Sequence, residues 1–309
     1  KKAMPSIITG AADNDPSGIS TYSIVGARFG YSLNWLMVIA TPMLIAIEAM
    51  VARLSDVKRK GLSAIITEHF PKPIGVLSAF ILAFVNIATI GADLSGMSLA
   101  LGLIIGVDSV VYVFVMALLI WIIVFFLDFK TVTKWLLVMV FFSFSYVLAA
   151  VLARANWVEV LTQTVIPSIS LNLGFFAAAT ALLGTTIAPY LFFWESGEEV
   201  ESKEPKRMRL SRARHEDRIV APGFIVSNII SLFIMIAAAT VLFKNGITDI
   251  KDATAAAEAL VPFAGPYAKL LFAIGILGAG FLAVPVLATT TAYAIAETFG
   301  WKDSLSDKV

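Results

Sequence analysis

Long apolar stretches alternate with short polar connections along almost the whole chain. Eight stand out, at about residues 5–29, 33–54, 74–107, 110–129, 133–155, 171–195, 220–243 and 267–299. Most reach the roughly 20 residues that a helix needs to cross a bilayer core. They are apolar nearly all round, so no helical stripe separates a buried face from a lipid face. The pattern predicts an all-α integral membrane protein with eight spans, the third of them long. The charged connection at 196–218 reads as a solvated linker, with a phospholipid-headgroup contact as the alternative. The connection at 244–266 carries Asp252 and Glu258 among alanines and predicts a short surface helix, a lid over one face.

Composition agrees with that pattern. The chain is 59% hydrophobic and 15% charged, with a mean hydropathy of +0.87. Soluble domains run nearer to about 45–50% apolar and about 25% charged. Counted from an inside N-terminus, 18 of the 23 basic residues fall on one side of the eight spans. That is the positive-inside bias, and it supports both the span count and the orientation. There is no cysteine, so no disulfide, thiolate metal site or thiol nucleophile is expected. His69 and His215 both lie in polar connections, away from any span. No signal-peptide pattern precedes the first stretch. No nucleic-acid partner and no bound cofactor are expected, and the sequence assigns no oligomeric state.

The chemistry lies where the apolar pattern is broken. The first stretch contains Gly10-Ala11-Ala12-Asp13-Asn14-Asp15-Pro16-Ser17-Gly18. A proline within a span removes a backbone donor and clashes with the preceding turn, so the helix should break beside Asp15. Broken backbone at membrane depth is tolerated where it is buried in protein or lines a cavity. An ionisable residue there is a functional-site hypothesis by default, and two carboxylates point to a cation. The sixth stretch contains Leu183-Gly184-Thr185-Thr186-Ile187-Ala188-Pro189-Tyr190, a second glycine and proline in mid-span. A lone proline is ordinarily a kink. Two interrupted spans, five apart, are the sequence signature of a transporter's midplane site at the interface of two repeats.

These residues resemble the NRAMP family of divalent metal transporters. Asp15-Pro16-Ser17-Gly18 stands where that family has Asp-Pro-Gly-Asn, and Ala188-Pro189-Tyr190 where it has Met-Pro-His. Asp93-Leu94-Ser95-Gly96-Met97 stands where its third helix has Asp-Leu-Ala-Glu-Val. The match is closest to a bacterial branch that lacks the methionine ligand. The resemblance implies a LeuT-like fold with an inverted 5+5 repeat in one transmembrane domain over 1–309. The first repeat would cover about 5–155 and an incomplete second about 171–309. The chain is then expected to be truncated after the eighth helix, and such a piece is expected to pack and transport poorly. The resemblance also implies alternating access, with the ion between broken helices 1 and 6. Its ligands would be the Asp15 carboxylate and the carbonyls of Ala12 and Thr185, with Asp13 and Asn14 as further oxygen donors. Gly18, Ala188 and Tyr190 would line the site, and Pro16 and Pro189 make the breaks.

Departures from the family pattern bear on the ion. Ala188 removes a soft thioether, and oxygen ligands suit Mg²⁺ and Mn²⁺. Small Gly18 and Ala188 leave room for an ion that keeps its waters, as Mg²⁺ does. Mn²⁺ and Mg²⁺ are near-equal candidates, with Fe²⁺ behind. Tyr190 and Glu195 replace the family's histidines, which puts proton coupling in doubt. Asp93 and Glu195 are the candidate proton path. Asp93 reads equally as a structural carboxylate between helices, and Glu195 as a water-exposed group near a helix end. Glu48 reads as a partner of Arg53 or a snorkelling side chain, and Thr289, Thr290 and Thr291 as helix-packing residues.

Two other classes compete with this reading. An organic-cation or amino-acid transporter on the same fold is possible in principle, but Asp13 and Asp15 would repel a substrate carboxylate. An intramembrane aspartyl protease would use Asp15 and Asp93 as a dyad. Ile90-Gly91-Ala92-Asp93 lacks the Gly-x-Gly-Asp such enzymes carry, so no enzymatic activity is expected. The partners expected are a divalent cation, the lipid bilayer and, if coupling survives, a proton. The location expected is the bacterial cytoplasmic membrane, multi-pass, with the N-terminus inside.

Overall fold

A computed structural model of the chain describes residues 9–301, apart from 11, 108–109, 127–143, 145, 149, 152, 202–215 and 258–265. The described residues form helices and turns, with no strand among them. In chain order these are α1 (Pro16–Phe29), α2 (Asn34–Lys58), α3 (Leu62–His69), α4 (Lys72–Ile105), α5 (Val111–Phe126), α6 (Trp157–Val165), α7 (Leu173–Thr186), α8 (Pro189–Glu201), α9 (Glu216–Val241), a 3-10 turn (Phe243–Asn245) and α10 (Pro266–Phe299). Residues 9, 10 and 12 are also helical and precede the break before α1.

Five described segments are long and apolar enough to cross a membrane: Asn34–Lys58, Lys72–Ile105, Leu173–Val200, Val220–Asn245 and Lys269–Phe299. The third of these joins α7 and α8 end to end across the second break. Five of the eight predicted stretches map onto these segments in order, with α4 the long third span; the first and fourth contain the shorter helices α1 (14 residues) and α5 (16 residues). Most of the 133–155 stretch lies outside the described residues. The predicted surface helix in the 244–266 connection is helical at 253–257. Two short helices, α3 and α6, were not foreseen, because each sits in what the hydropathy pattern marks as a connection.

Close packing is made by small residues, as lipid-embedded helices require. A Cβ on Gly10 would lie 2.5 Å from the Gly223 carbonyl carbon, and one on Gly26 would lie 2.4 Å from the Met235 oxygen. α9 is thereby drawn against both halves of the first span. α10 lies along α4, where Asn86 donates to Thr291 Oγ1 at 2.9 Å and Met97 fills the notch at Gly280. The three consecutive threonines each donate to the carbonyl four residues earlier, which satisfies them within α10. At the N-terminus of α3 the cap residue is Gly61, which has no side chain to offer. Glu297 of α10 fills that role, accepting from Ser63 N at 3.1 Å and Ala64 N at 3.3 Å. On the surface nearby, a hydrogen bond from Lys60 holds the Glu68 carboxyl below its ordinary range.

Two apolar cores flank the breaks. One gathers Ile19, Tyr22 and Val25 of α1 with Ile230 and Ile234 of α9, Phe272 and Ile276 of α10, and Ala253 and Ala256 of the 244–266 connection. The other gathers Ala12 with Leu44 and Ala52 of α2, Leu191 and Trp194 of α8, and Leu282 and Val286 of α10. Ala12 belongs to one core and Ile19 to the other, so the polar residues 13–18 lie between them.

Candidate cation site

Each break follows from one missing donor. In a helix the carbonyl of residue i accepts from the N–H of residue i+4. The residue four on from Ala12 is Pro16, and the residue four on from Thr185 is Pro189, so neither carbonyl has that N–H to accept. Ala12 finds another donor, the Tyr190 hydroxyl, at 2.8 Å. One break therefore satisfies the other, and the two interrupted spans are joined at their broken points.

The amide end of the first break is satisfied by carboxylates. Asp15 is the N-cap of α1, with Pro16 following in the first turn, where a missing N–H costs nothing. Its Oδ1 accepts from Gly18 N at 2.5 Å and from Ser17 Oγ at 2.8 Å. Asp93, from α4, accepts from Ser17 N at 3.0 Å through its Oδ1. The N-terminus of α1 thus holds two carboxylates, the charge its dipole favours. Asp93 thus bridges α4 and α1 through Oδ1, and its Oδ2 has no hydrogen-bond partner.

Asp13 and Asn14 turn towards α9. Asp13 Oδ2 accepts from Ser227 Oγ at 3.0 Å, and its Oδ1 has no partner. The Asn14 amide donates to Ser227 Oγ at 2.8 Å and to the Ser227 carbonyl at 3.2 Å. Its Oδ1 accepts from Ser231 Oγ at 2.6 Å. Glu195 is 2% exposed, not at a watery helix end, and its Oε2 accepts from Thr9 Oγ1 at 3.0 Å. Glu48 is fully buried and makes no ion pair with Arg53 among the described residues, contrary to the expected pairing or snorkelling.

A cavity of about 480 Å³ opens beside the break. Asp15, Ser17, Thr185, Ala188, Pro189 and Tyr190 line it, and so do Leu82, Asn86 and Thr89 of α4. Gly18 lies at its edge: a Cβ there would be 3.0 Å from Thr185 Oγ1 and 3.1 Å from Asp15 Oδ1. Asp13, Asp15 and Asp93 make no ion pair among the described residues. A positive charge is what this arrangement lacks. Among the described residues no three Asp, Glu, His or Cys side chains converge into a metal cage. The donors on offer are instead one carboxylate with backbone carbonyls and hydroxyls, a hard-oxygen set.

Of the residues named from the sequence, Asp15, Thr185, Ala188, Tyr190 and Pro189 come together at the cavity, with Ala12, Gly18 and Asp93 adjoining. Asp13 and Asn14 are bound to α9, and Glu195, outside the cavity lining, accepts from Thr9. Sequence reasoning passed over Ser17, Ser227 and Ser231. The last two stand four apart on one face of a largely apolar span, with Asn228 between them donating to Thr41 of α2 at 2.8 Å, a polar pattern that pointed at α9.

Comparisons with known proteins place this arrangement. The sequence profile described as "Natural resistance-associated macrophage protein-like" (Nramp) matches residues 6–309. The divalent metal cation transporter MntH of Deinococcus radiodurans is 27% identical over 297 residues, covering 89% of this chain and 64% of that protein. MntH of Bacillus subtilis is 25% identical over 283 residues, covering 89% and 66%. The chain thus spans 64% to 66% of the length of these curated relatives. Among solved structures, a mutant of the Eremococcus coleocola manganese transporter superposes with a TM-score of 0.74 at 19% identity, covering 98% of this chain and 66% of that one. The nucleobase-cation-symport-1 family transporter Mhp1, closed with bromovinylhydantoin bound, superposes with a TM-score of 0.71 at 14% identity, covering 97% and 66%. At these identities the superpositions establish the fold, a LeuT-like arrangement.

Proposed function

Because the chain belongs to the Nramp family, we propose that it serves to move divalent metal cations across a bilayer by alternating access. The ion sits between the two broken helices and binds the Asp15 carboxylate. The observation that carries this reading is the meeting of both breaks at one cavity lined by Asp15 and Thr185. The names of the curated relatives, divalent metal cation transporters, support it.

In this reading Asp15 Oδ2 and the carbonyls of Ala12 and Thr185 are the ligands. Asp13 contributes negative charge from its unpartnered oxygen, and Asn14 holds the break against α9. Six waters occupy roughly 180 Å³ at about 30 Å³ each, so a cavity of about 480 Å³ admits a hydrated ion. The cavity favours Mg²⁺ or a partly hydrated Mn²⁺ over a fully stripped ion, with Fe²⁺ behind. Asp93 and Glu195 are the candidate proton carriers. The positive-inside bias puts the N-terminus, α3 and the end of α8 in the cytoplasm of a bacterial cell. Repeats at about 5–155 and 171–309 place each break at the start of its repeat.

One observation favours a second reading: much of the cavity wall is apolar, with Ile81, Leu82, Val85 and Phe193. That wall suits an organic cation with its charge at Asp15. Proteoliposomes carrying the full-length protein and loaded with Mn²⁺- and Mg²⁺-sensitive dyes separate the two. The metal reading predicts flux of either ion, reduced to the level of empty liposomes by Asp15→Ala. No metal flux in the wild type would overturn it and leave the organic-cation reading.

A further inference from the structure

Glu48 is a buried acid that the site above does not use. It lies on α2 between Leu44 and Ala52, one turn from each, and both neighbours are fully buried in the core with Leu191 and Trp194. Glu48 is itself 0% exposed, and neither of its carboxyl oxygens has a hydrogen-bond partner. The charged groups that act on it are Glu195 of α8 and Asp13 before the break, and both are acidic. Among the described residues no cation is paired with it. α7 carries no titratable residue, α3 has Glu68 and His69 at its end, α6 has Glu159, and α9 has Glu216, Asp217 and Arg218 in its first turn.

An ionised carboxylate in an apolar layer, with no donor and two acidic neighbours, is strongly disfavoured. It needs a positive charge. A metal ion would require several oxygens around one point, and no such group exists among the described residues. A proton requires one oxygen. We infer that Glu48 is a proton-carrying station on the α3 side of the breaks, which passes its proton to Glu195 when a divalent cation occupies the Asp15 site.

The step is a relay. The O–H bond of Glu48 breaks, an O–H bond forms on the Glu195 carboxylate, and Glu195 then gives that proton to water at the far end of α8, so one proton leaves the protein while Thr9 keeps its hydrogen bond to Glu195 Oε2. The cation supplies the drive, because its charge stabilises carboxylates near Asp13. α8 then leads from Glu195 towards Glu199, one turn further along. Glu48 is thus a positioning and charge-balancing residue; it does not touch the ion.

This inference rests on the transport reading, so its test separates the two. Protons released on Mn²⁺ binding are counted by titration calorimetry of the purified protein in two buffers of different ionisation enthalpy. The wild type should release one more proton per Mn²⁺ than Glu48→Gln, which keeps the side chain's shape but has no titratable proton. Glu48→Asp should restore the release, and Glu195→Gln should lose it. Mn²⁺ binding with the same proton count in wild type and Glu48→Gln overturns the role of Glu48 alone. Absence of any Mn²⁺ binding in the wild type overturns the transport reading, and this inference with it.

Discussion

Removing the Tyr190 hydroxyl tests whether a broken-helix carbonyl is a ligand. In the ion-free protein that hydroxyl donates to the Ala12 carbonyl at 2.8 Å, standing in for the N–H that Pro16 lacks. A cation that ligates this carbonyl must displace or weaken the bond, worth about 0.5–1.5 kcal/mol net. Tyr190→Phe removes the competitor, so Mn²⁺ binding should tighten by roughly 2- to 12-fold. The same change strips a buried acceptor, at a cost of about 1–3 kcal/mol in the ion-free state. The variant should therefore melt lower than the wild type without metal and recover when Mn²⁺ is added. Titration calorimetry and thermal melts with and without Mn²⁺ read both effects. Unchanged or weaker Mn²⁺ binding in Tyr190→Phe would refute the reasoning, because it would mean that the Ala12 carbonyl takes no part.

Ser231→Ala removes the donor to Asn14 Oδ1 and should destabilise the protein by about 1–3 kcal/mol in thermal melts. Its effect on metal flux should be smaller than that of Asp15→Ala, since Asn14 faces α9. Gly26→Ala forces a Cβ to within 2.4 Å of the Met235 oxygen and should cost about 1–3 kcal/mol by overpacking. Gly91→Ala, with nothing within 4 Å of the added carbon, should instead stabilise α4 by up to about 1 kcal/mol in the same melts.

The breaks were legible in the sequence because proline acts locally. Pro16 and Pro189 each deprive a known carbonyl of its donor, whatever surrounds them. Asp15 was legible as an ionisable residue beside a break in a span; that it also caps α1 was not. What pairs with what was not legible, because it depends on which helices touch. Glu195 looked solvent-exposed from its place near a charged connection, yet α8 packs it beside Thr9. Glu48 looked able to reach Arg53, but the face of α2 it shares with Leu44 and Ala52 turns into the core. Glu297 caps α3 from more than 200 residues away, a pairing no local pattern announces. Ser227, Asn228 and Ser231 stand out as a polar cluster in a largely apolar span, but only the fold says that the serines face Asp13 and Asn14.

The central claim is that a divalent cation binds at Asp15 between the two broken helices. Its most direct test is anomalous diffraction from crystals soaked in Mn²⁺, recorded at energies on either side of the manganese edge. The account predicts a peak within coordination distance of Asp15 Oδ2, between α1 and α8, that is lost in Asp15→Ala. A peak elsewhere that survives Asp15→Ala, or none at saturating Mn²⁺, would contradict it.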